Sequence, residues 1–185
     1  MSSQEAVFDQ IYFAKRRLTE LEILKNGNIA GADHKDRQPL IQEFFFHLVG
    51  AIEYLLQTVN NKRELKIDTE LVNISTVCEK LNNNNINDPI IIMLKQLHPN
   101  TRCKEVPKDY LTEEGDHFRI MLLRNIISHH KYCPFFFRIG SEPQTSLVID
   151  PRKEIQEGSE RSAIDELKHF LKLVTDKCQK VIELS

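Results

Sequence analysis

Apolar residues recur at spacings of three and four through Val7, Ile11, Ala14, Leu18 and Leu21, while Lys15, Arg16, Arg17, Glu20 and Glu22 fall mostly on other faces. That period predicts an amphipathic helix over residues 4–25. NGNIAGADHKD then reads as a loop, because Gly27 and Gly31 flank Asn and Asp. A second helix is predicted over 38–60, capped by Asp36 with Pro39 in its first turn. Its apolar positions cover a wide arc: Leu40, Ile41, Phe44, Phe45, Leu48, Ala51, Ile52, Leu55, Leu56 and Val59. A helix apolar over that arc is central in a bundle or meets another subunit as well.

The pattern continues with a shorter helix over 66–81, carrying Ile67, Leu71, Ile74, Cys78 and Leu81, and a polar NNNNIND loop. Asp88 caps and Pro89 starts a short helix through Leu97. HPNTRCKEVPKDY is irregular, since Pro99 and Pro107 exclude regular structure. The next helix begins near Thr112, has Glu113, Glu114 and Asp116 where acids favour the dipole, and ends before Pro134. Phe118, Met121, Leu122, Asn125, Ile126 and His129 share a face of it. PFFFRIGSEPQTSLVIDP predicts two short strands around a Gly-Ser-Glu-Pro turn. A last helix runs from about Ser162, with Asp165 completing a capping box. Ile164, Leu167, Leu171, Val174, Cys178 and Val181 form its apolar face.

Composition narrows the class without naming a function. With 185 residues, 41% hydrophobic and 28% charged, the chain fits one ordinary soluble domain. A formal net charge of -2 argues against a broad basic surface for duplex nucleic acid but leaves room for a local cationic cleft. Cys78, Cys103, Cys133 and Cys178 have no C-x-x-C spacing, which argues against a zinc knuckle or a redox pair. The N-terminal MSSQEAVFDQ lacks a secretory pattern, and the runs IIIMLKQL and FFFHLVGAIEYLL read as too short or interrupted to span a membrane. The expectation is a cytoplasmic protein with reduced thiols and no membrane partner. No phosphate-loop, dinucleotide or nucleophile-elbow motif occurs, so NTPase, dinucleotide-binding and α/β-hydrolase readings lack support.

The chemistry-bearing stretch is LLRNIISHHKYCP, residues 122–134. His129, His130 and Lys131 in a last turn can simply stabilise exposed carbonyls. The alternative lies in R-N-x-x-x-H. Asn125 and His129 lie roughly 40° apart on the helix, while Arg124 and His129 lie roughly 140° apart and flank a groove. A phosphate between them meets a fixed cation and a titratable imidazole, the minimum set for cleaving RNA through its own 2′-hydroxyl. Requiring Asn directly after the Arg cuts the chance expectation of such a pattern from about one to roughly 0.07.

On Arg124, Asn125 and His129 the chain resembles the HEPN domain (higher eukaryotes and prokaryotes nucleotide-binding), a helical bundle found in toxins, antiviral RNases and CRISPR-associated nucleases. The family's mark is an Arg, four to six residues, then a His, often with Asn directly after the Arg; His130 also fits the spacing. The resemblance implies a mainly α fold, a HEPN-like helical bundle of four to five long helices, to which the strand pattern adds a small β-hairpin near 135–149 that has no equivalent in the minimal family pattern. The length fits a single HEPN-like domain over 1–185, in which about 61–110 is a helical insertion, likewise without an equivalent in the minimal family pattern. The implied activity is a metal-independent endoribonuclease, a toxin or antiviral defence RNase, with catalytic Arg124, Asn125 and His129. His130 and Glu53 are the accessory residues, because some members place an acid on the second helix near the site. The implied partners are RNA, a second copy completing a composite site, and an antitoxin or defence protein. No cofactor or metal is expected. The other reading is a catalytically silent HEPN-like dimeric module that binds a partner or a nucleotide.

Other residues carry blander readings beside sharper ones. Glu43, His47 and Glu53, the polar members of the second helix, read as a solvated stripe or satisfied hydrogen bonds. His129, His130 and Cys133 are three metal-ligand types on one short segment without a distant partner. Phe135, Phe136 and Phe137 are base-stacking residues or, more simply, packing at a strand start. Of Glu113, Glu114 and Asp116, even the nearest, Asp116, lies roughly 20 Å along the helix from His129, so they cannot share a metal with it.

Overall fold

The helix α2, His34–Lys62, is the one against which α1, α3, α5 and α6 pack. In the computed structural model, which describes residues 2–26, 34–84, 87–102, 106–107, 109–129, 135–138, 144–155 and 157–185, the chain is mainly helical. α1 (Ser3–Asn26) lies along α2 over most of its length. α5 (Glu113–His129) and α6 (Ala163–Leu184) pack on other sides of α2, and α3 (Ile74–Asn84) and α4 (Pro89–Leu97) close one end. β1 (Phe135–Arg138) and β2 (Gln144–Leu147) pair antiparallel, with Phe135 opposite Leu147 and Arg138 opposite Gln144. The turn expected between them lies outside the described residues.

The wide apolar arc explains the central place of α2. Ile41, Phe44, Phe45, Leu48, Val49, Ala51, Ile52, Leu55, Leu56 and Val59 are all buried, and Leu40 packs against them. At roughly 25 cal/mol per Å² of apolar surface, each of these side chains other than Ala51 contributes on the order of 1.5–3 kcal/mol. Arg37–Lys62 is in fact long and apolar enough to cross a membrane by length and composition, which the sequence reading of shorter runs had not allowed; 56% of that window is buried within the bundle. Two polar residues of α2 tie it to α1: Glu43 pairs with Arg17 Nε at 2.6 Å, and His47 Nδ1 lies 2.7 Å from Gln10 Oε1.

Two boundaries differ from the periodicity. α2 begins at His34, so Asp36 and Pro39 lie inside it rather than at its cap and first turn. Pro39 is tolerated because, so near the start, it removes a single backbone hydrogen bond. The helix expected over 66–81 is instead a 3₁₀ turn, Thr69–Leu71, followed by α3. Local side-chain bonds break it. Asn60 clamps Ile67 through both amide atoms, donating to its carbonyl at 2.9 Å and accepting from its N–H at 3.1 Å. Glu64 and Lys66 take left-handed backbone (φ 48 and 56), and Asn73 Oδ1 accepts from the N–H groups of Ser75 and Thr76, starting the helix anew. α5 ends at His129 among the described residues; 130–134, with His130, Cys133 and Pro134, lie outside them.

Other expected caps are present. Asp88 accepts from Ile90 N at 2.9 Å, and Ser162 Oγ accepts from Asp165 N at 3.2 Å. Thr112 Oγ1 caps α5 through Gly115 N at 3.2 Å. Gly115 itself is fixed by space, because a Cβ there would stand 2.6 Å from Tyr110 Cα. Cys78 and Cys178 are buried free thiols; burial pushes Cys178 up to about 12, which makes it inert at neutral pH.

α5 is buried continuously over 115–123, wider than one amphipathic face. It therefore buries a charge, Arg119, whose side chain is wholly enclosed. Its guanidinium pairs with equally buried Glu166 of α6 and donates through Nη2 to the Val148 carbonyl at 2.9 Å. Ser159 Oγ donates to the same carboxylate at 3.1 Å, and the Tyr110 ring lies 5.2 Å from the guanidinium carbon. Removing one member leaves an uncompensated buried charge. Arg119→Met is expected to cost about 3–5 kcal/mol in urea denaturation, whereas Arg119→Met with Glu166→Leu recovers most of that loss. Equal costs for the single and double variants would refute this account of the joint.

Candidate functional site

The burial of α5 ends at Arg124. From there the helix turns partly exposed faces outward, with Arg124, Asn125 and Ile126 half-buried. The end of the helix is held against α2 by Gln42, whose Nε2 donates to the Ile127 carbonyl at 3.2 Å. That bond satisfies a carbonyl near the C-terminus of the helix, where few partners exist.

Arg124 lies between two elements. Its Nη2 is 3.5 Å from Glu53 Oε1 of α2, and its Nη1 donates to Asn125 Oδ1 at 3.2 Å. Its Nε is buried without a hydrogen-bond partner. The side chain is 28% exposed and that of Glu53 60% exposed, so solvent reaches the pair. Asn125 in turn donates through Nδ2 to Thr101 Oγ1 at 3.4 Å, which ties the motif to the loop after α4. Thr101 passes the connection on: its carbonyl accepts from Arg152 Nη1 at 3.3 Å. Arg152 grips Asp150 with Nε and Nη2 at 2.8 and 2.7 Å. Neighbouring Arg152 holds the Asp150 carboxyl below the usual carboxylate range against the opposing effect of burial.

Of the residues singled out from sequence, the structure brings Arg124, Asn125 and Glu53 together. His129 closes α5, but its side chain, like all of His130, lies outside the described residues. Glu43 and His47 face α1 instead. Phe135 packs against the core, so it is a packing residue; the side chains of Phe136 and Phe137 lie outside the described residues. Among the described residues no group of three or more His, Cys, Asp or Glu is arranged to hold a metal ion. A comparison with family models, curated proteins and solved structures returns no match.

Thr101, Asp150 and Arg152 were not found by sequence reasoning. D-P-R at 150–152 is a turn signal and could have been read as one; that the turn meets Asn125 through Thr101 is a long-range fact. A second constellation was also missed. Asp116, read as a dipole-favouring acid, is buried and accepts from Arg161 at 3.0 Å and pairs with His169 Nε2 at 2.6 Å, joining α5 to α6.

Two turns before Arg124, His117 is almost wholly buried, with neither ring nitrogen hydrogen-bonded. It lines a cavity of about 620 Å³ together with Ile92, Lys95, Gln96, Pro99 and Glu113. Burial, and then repulsion from Lys177, pull its pKa from 6.5 to about 4 against the opposing pull of Glu113 and Asp116. The unfolded chain therefore takes up this proton at a higher pH than the folded one. Stability is complete above pH 6.5 and declines as pH falls toward 4, by up to about 3 kcal/mol from this group. Urea denaturation at pH 7 and pH 4.5 is expected to show that decline in the wild type and a flatter dependence in His117→Phe. An unchanged slope would mean that His117 is protonated in the folded state.

Proposed function

We propose that the protein is a HEPN-type, metal-independent endoribonuclease acting in the cytoplasm as a toxin or defence RNase, through Arg124, Asn125 and His129. The observation that carries this reading is the setting of Arg124. A partly exposed guanidinium, held by a solvent-exposed carboxylate and the adjacent Asn125, stands where α5 leaves the core. A phosphate is a stronger bidentate partner for that fork than an exposed carboxylate.

The chemistry follows from these groups. Arg124 binds the non-bridging oxygens and neutralises charge that grows on phosphorus. The RNA's 2′-hydroxyl attacks phosphorus as its proton passes to an imidazole, the bond to the 5′-oxygen breaks, and a protonated imidazole delivers a proton to that leaving oxygen. The products are a 2′,3′-cyclic phosphate and a 5′-hydroxyl. One imidazole cannot serve both oxygens at once, so a second copy of the chain supplies the other across a twofold axis.

The outward stripe of α2 supports such pairing. Phe46 is 59% exposed and lies with Gly50 on the same stripe as Glu53. It adjoins exposed Tyr12 and Phe13 of α1 through His47, whose ring stands 5.3 Å from Phe13 and 5.5 Å from Phe46. A dimer seated on this stripe brings two copies of Arg124 to one cleft. The same surface also serves the second reading, a silent dimeric module that binds a partner or a nucleotide, and activity distinguishes the two.

Arg124→Ala and His129→Ala are each expected to lower RNA cleavage by about 10²–10⁴-fold with unchanged circular dichroism, and Asn125→Ala by less. Cleavage is expected to persist in EDTA and to spare DNA. Loss of fold in Arg124→Ala, or absence of cleavage by the wild type, would favour the structural or the silent reading respectively. For assembly, sedimentation at micromolar concentration is expected to give a dimer for the wild type and a monomer for Phe46→Glu, with cleavage falling alongside. A monomeric wild type would remove the composite site.

A further inference from the structure

We propose that the cavity between α4 and the first turns of α5 is a nucleobase pocket, in which His117 and Gln96 read the base of a nucleotide whose strand continues to Arg124. The inference rests on the ribonuclease reading for the strand and goes beyond it in assigning a base-reading site that the motif does not contain.

An unsatisfied group marks the cavity. His117 is 1% exposed, and neither ring nitrogen has a hydrogen-bond partner. A buried polar group left in that state costs the fold, and a ligand that bonds to it recovers the loss. Nε2 stands 3.9 Å from Glu113 Oε1, too far for a hydrogen bond, and both residues line the cavity of about 620 Å³. Glu113 is half exposed, so a ring entering the cavity can move this side chain and take its place beside Nε2. The second polar group is set from behind. Lys177 Nζ donates to Gln96 Oε1 at 2.8 Å, which orients the carboxamide and leaves its Nε2 as a donor. Gln96 of α4 and His117 of α5 line the same space, and Lys177 of α6 ties the two walls together through Gln96 and Glu113.

Charge selects the class of occupant. Burial, then Lys177 and His169, keep His117 neutral at physiological pH against the pull of Glu113 and Asp116, so the ring offers one donor and one acceptor. Lys177 offsets Glu113, and exposed Lys95 and Glu114 in the lining are of opposite sign. A lining balanced in this way gives a phosphate no advantage. An apolar ligand would leave the imidazole unpaired. For a metal ion, no group of three His, Cys, Asp or Glu is arranged to hold it among the described residues. What fits is an uncharged ring with donors and acceptors along its edge and an apolar face, which is the chemistry of a nucleobase. Pro99 and exposed Ile92 supply the apolar wall. The volume falls within the roughly 300–1,000 Å³ of small-molecule sites.

The pocket also stands in register with the motif. His117 precedes Arg124 by seven residues, which places the two about 20° apart around α5 and roughly 10.5 Å apart along it. At about 3.4 Å per nucleotide of a stacked strand, that span is about three nucleotides. The loop after α4 joins the two ends, since Pro99 lines the cavity and Thr101 Oγ1 accepts from Asn125. A strand with its phosphate at Arg124 therefore has a neighbouring base within reach of the cavity.

The test titrates the full chain with adenosine, guanosine, cytidine and uridine, following the histidine ring nitrogens by isotope-edited NMR. One nucleoside is expected to shift the His117 signal saturably, and Gln96→Ala is expected to weaken its binding about tenfold. Gln96 is exposed, so this variant keeps the core intact and carries the test even where His117→Phe fails to fold. In cleavage of RNAs that differ only in the bases beside the scissile phosphate, Gln96→Ala is expected to lower the preference for that base about tenfold, through KM rather than kcat. If no nucleoside shifts His117, or if Gln96→Ala binds and discriminates as the wild type does, the pocket is overturned, and cleavage of RNA by the wild type leaves the α5 site standing. If the nucleoside binds but the wild type never cleaves RNA, the pocket stands and the ribonuclease reading falls. If the nucleoside monophosphate saturates the pocket and an uncleavable 2′-O-methyl oligoribonucleotide does not compete with it, the base comes from a free nucleotide and the continuation of its strand to Arg124 is overturned.

Discussion

The buried pair between Arg119 and Glu166 is the joint on which the arrangement of the molecule depends. Two charges without solvent access are tolerable only when both are paired and hydrogen-bonded. The protein meets that condition by bringing α5, α6, the end of the β-pair and Ser159 to a single point. None of these elements can shift without exposing or orphaning a charge. A hydrophobic contact would hold the same elements together but would tolerate sliding, whereas a guanidinium fork fixes both distance and angle.

The consequences reach the candidate site through Val148. Its carbonyl is bound by Arg119, and two residues later Asp150 begins the turn that carries Arg152. Arg152 reaches Thr101, and Thr101 reaches Asn125. Arg119 and Asn125 are on the same helix, so the connections form a closed loop that starts and ends on α5. The half-exposed end of α5 is thus braced from the core side by Arg119 and from the α2 side by Gln42. A loop-borne site would lack that bracing, and the geometry that the proposed phosphoryl transfer needs is less tolerant than a loop allows.

Helices were legible in the sequence wherever one face was apolar at a period of 3.6, and α1, α2, α4 and α6 fall close to where that pattern sets them. The pattern failed where short polar side chains compete with the backbone, as at Asn60 and Asn73, because period counts carry no information about such local bonds. It was also silent on Arg119. An arginine in an amphipathic helix reads as solvent-facing, and only the partner at position 166 shows otherwise. Arg124 and Asn125 were legible as a local motif, and Glu53 as a polar residue on an apolar helix. Their meeting with Thr101 and Arg152 was not, since it depends on how four segments close on one another.

Arg119 and Arg124 show why the same residue on the same helix has opposite uses. Five residues apart, they point roughly 140° from each other. Arg119 faces a carboxylate in a medium where Coulomb attraction is strong and water absent, so its partner cannot be exchanged. Arg124 faces Glu53, which is largely in solvent, and such a pair contributes no more than about 1 kcal/mol. In the proposed reaction a doubly bonded phosphate would displace a partner held that weakly, and the displaced carboxylate would return to water without penalty. The exposed pair therefore orients the guanidinium yet would yield it to the proposed ligand, while the buried pair keeps the helix beneath it from moving. Charge placement along α5, rather than the presence of arginine, separates the part of the helix that folds the protein from the part left open for the proposed chemistry.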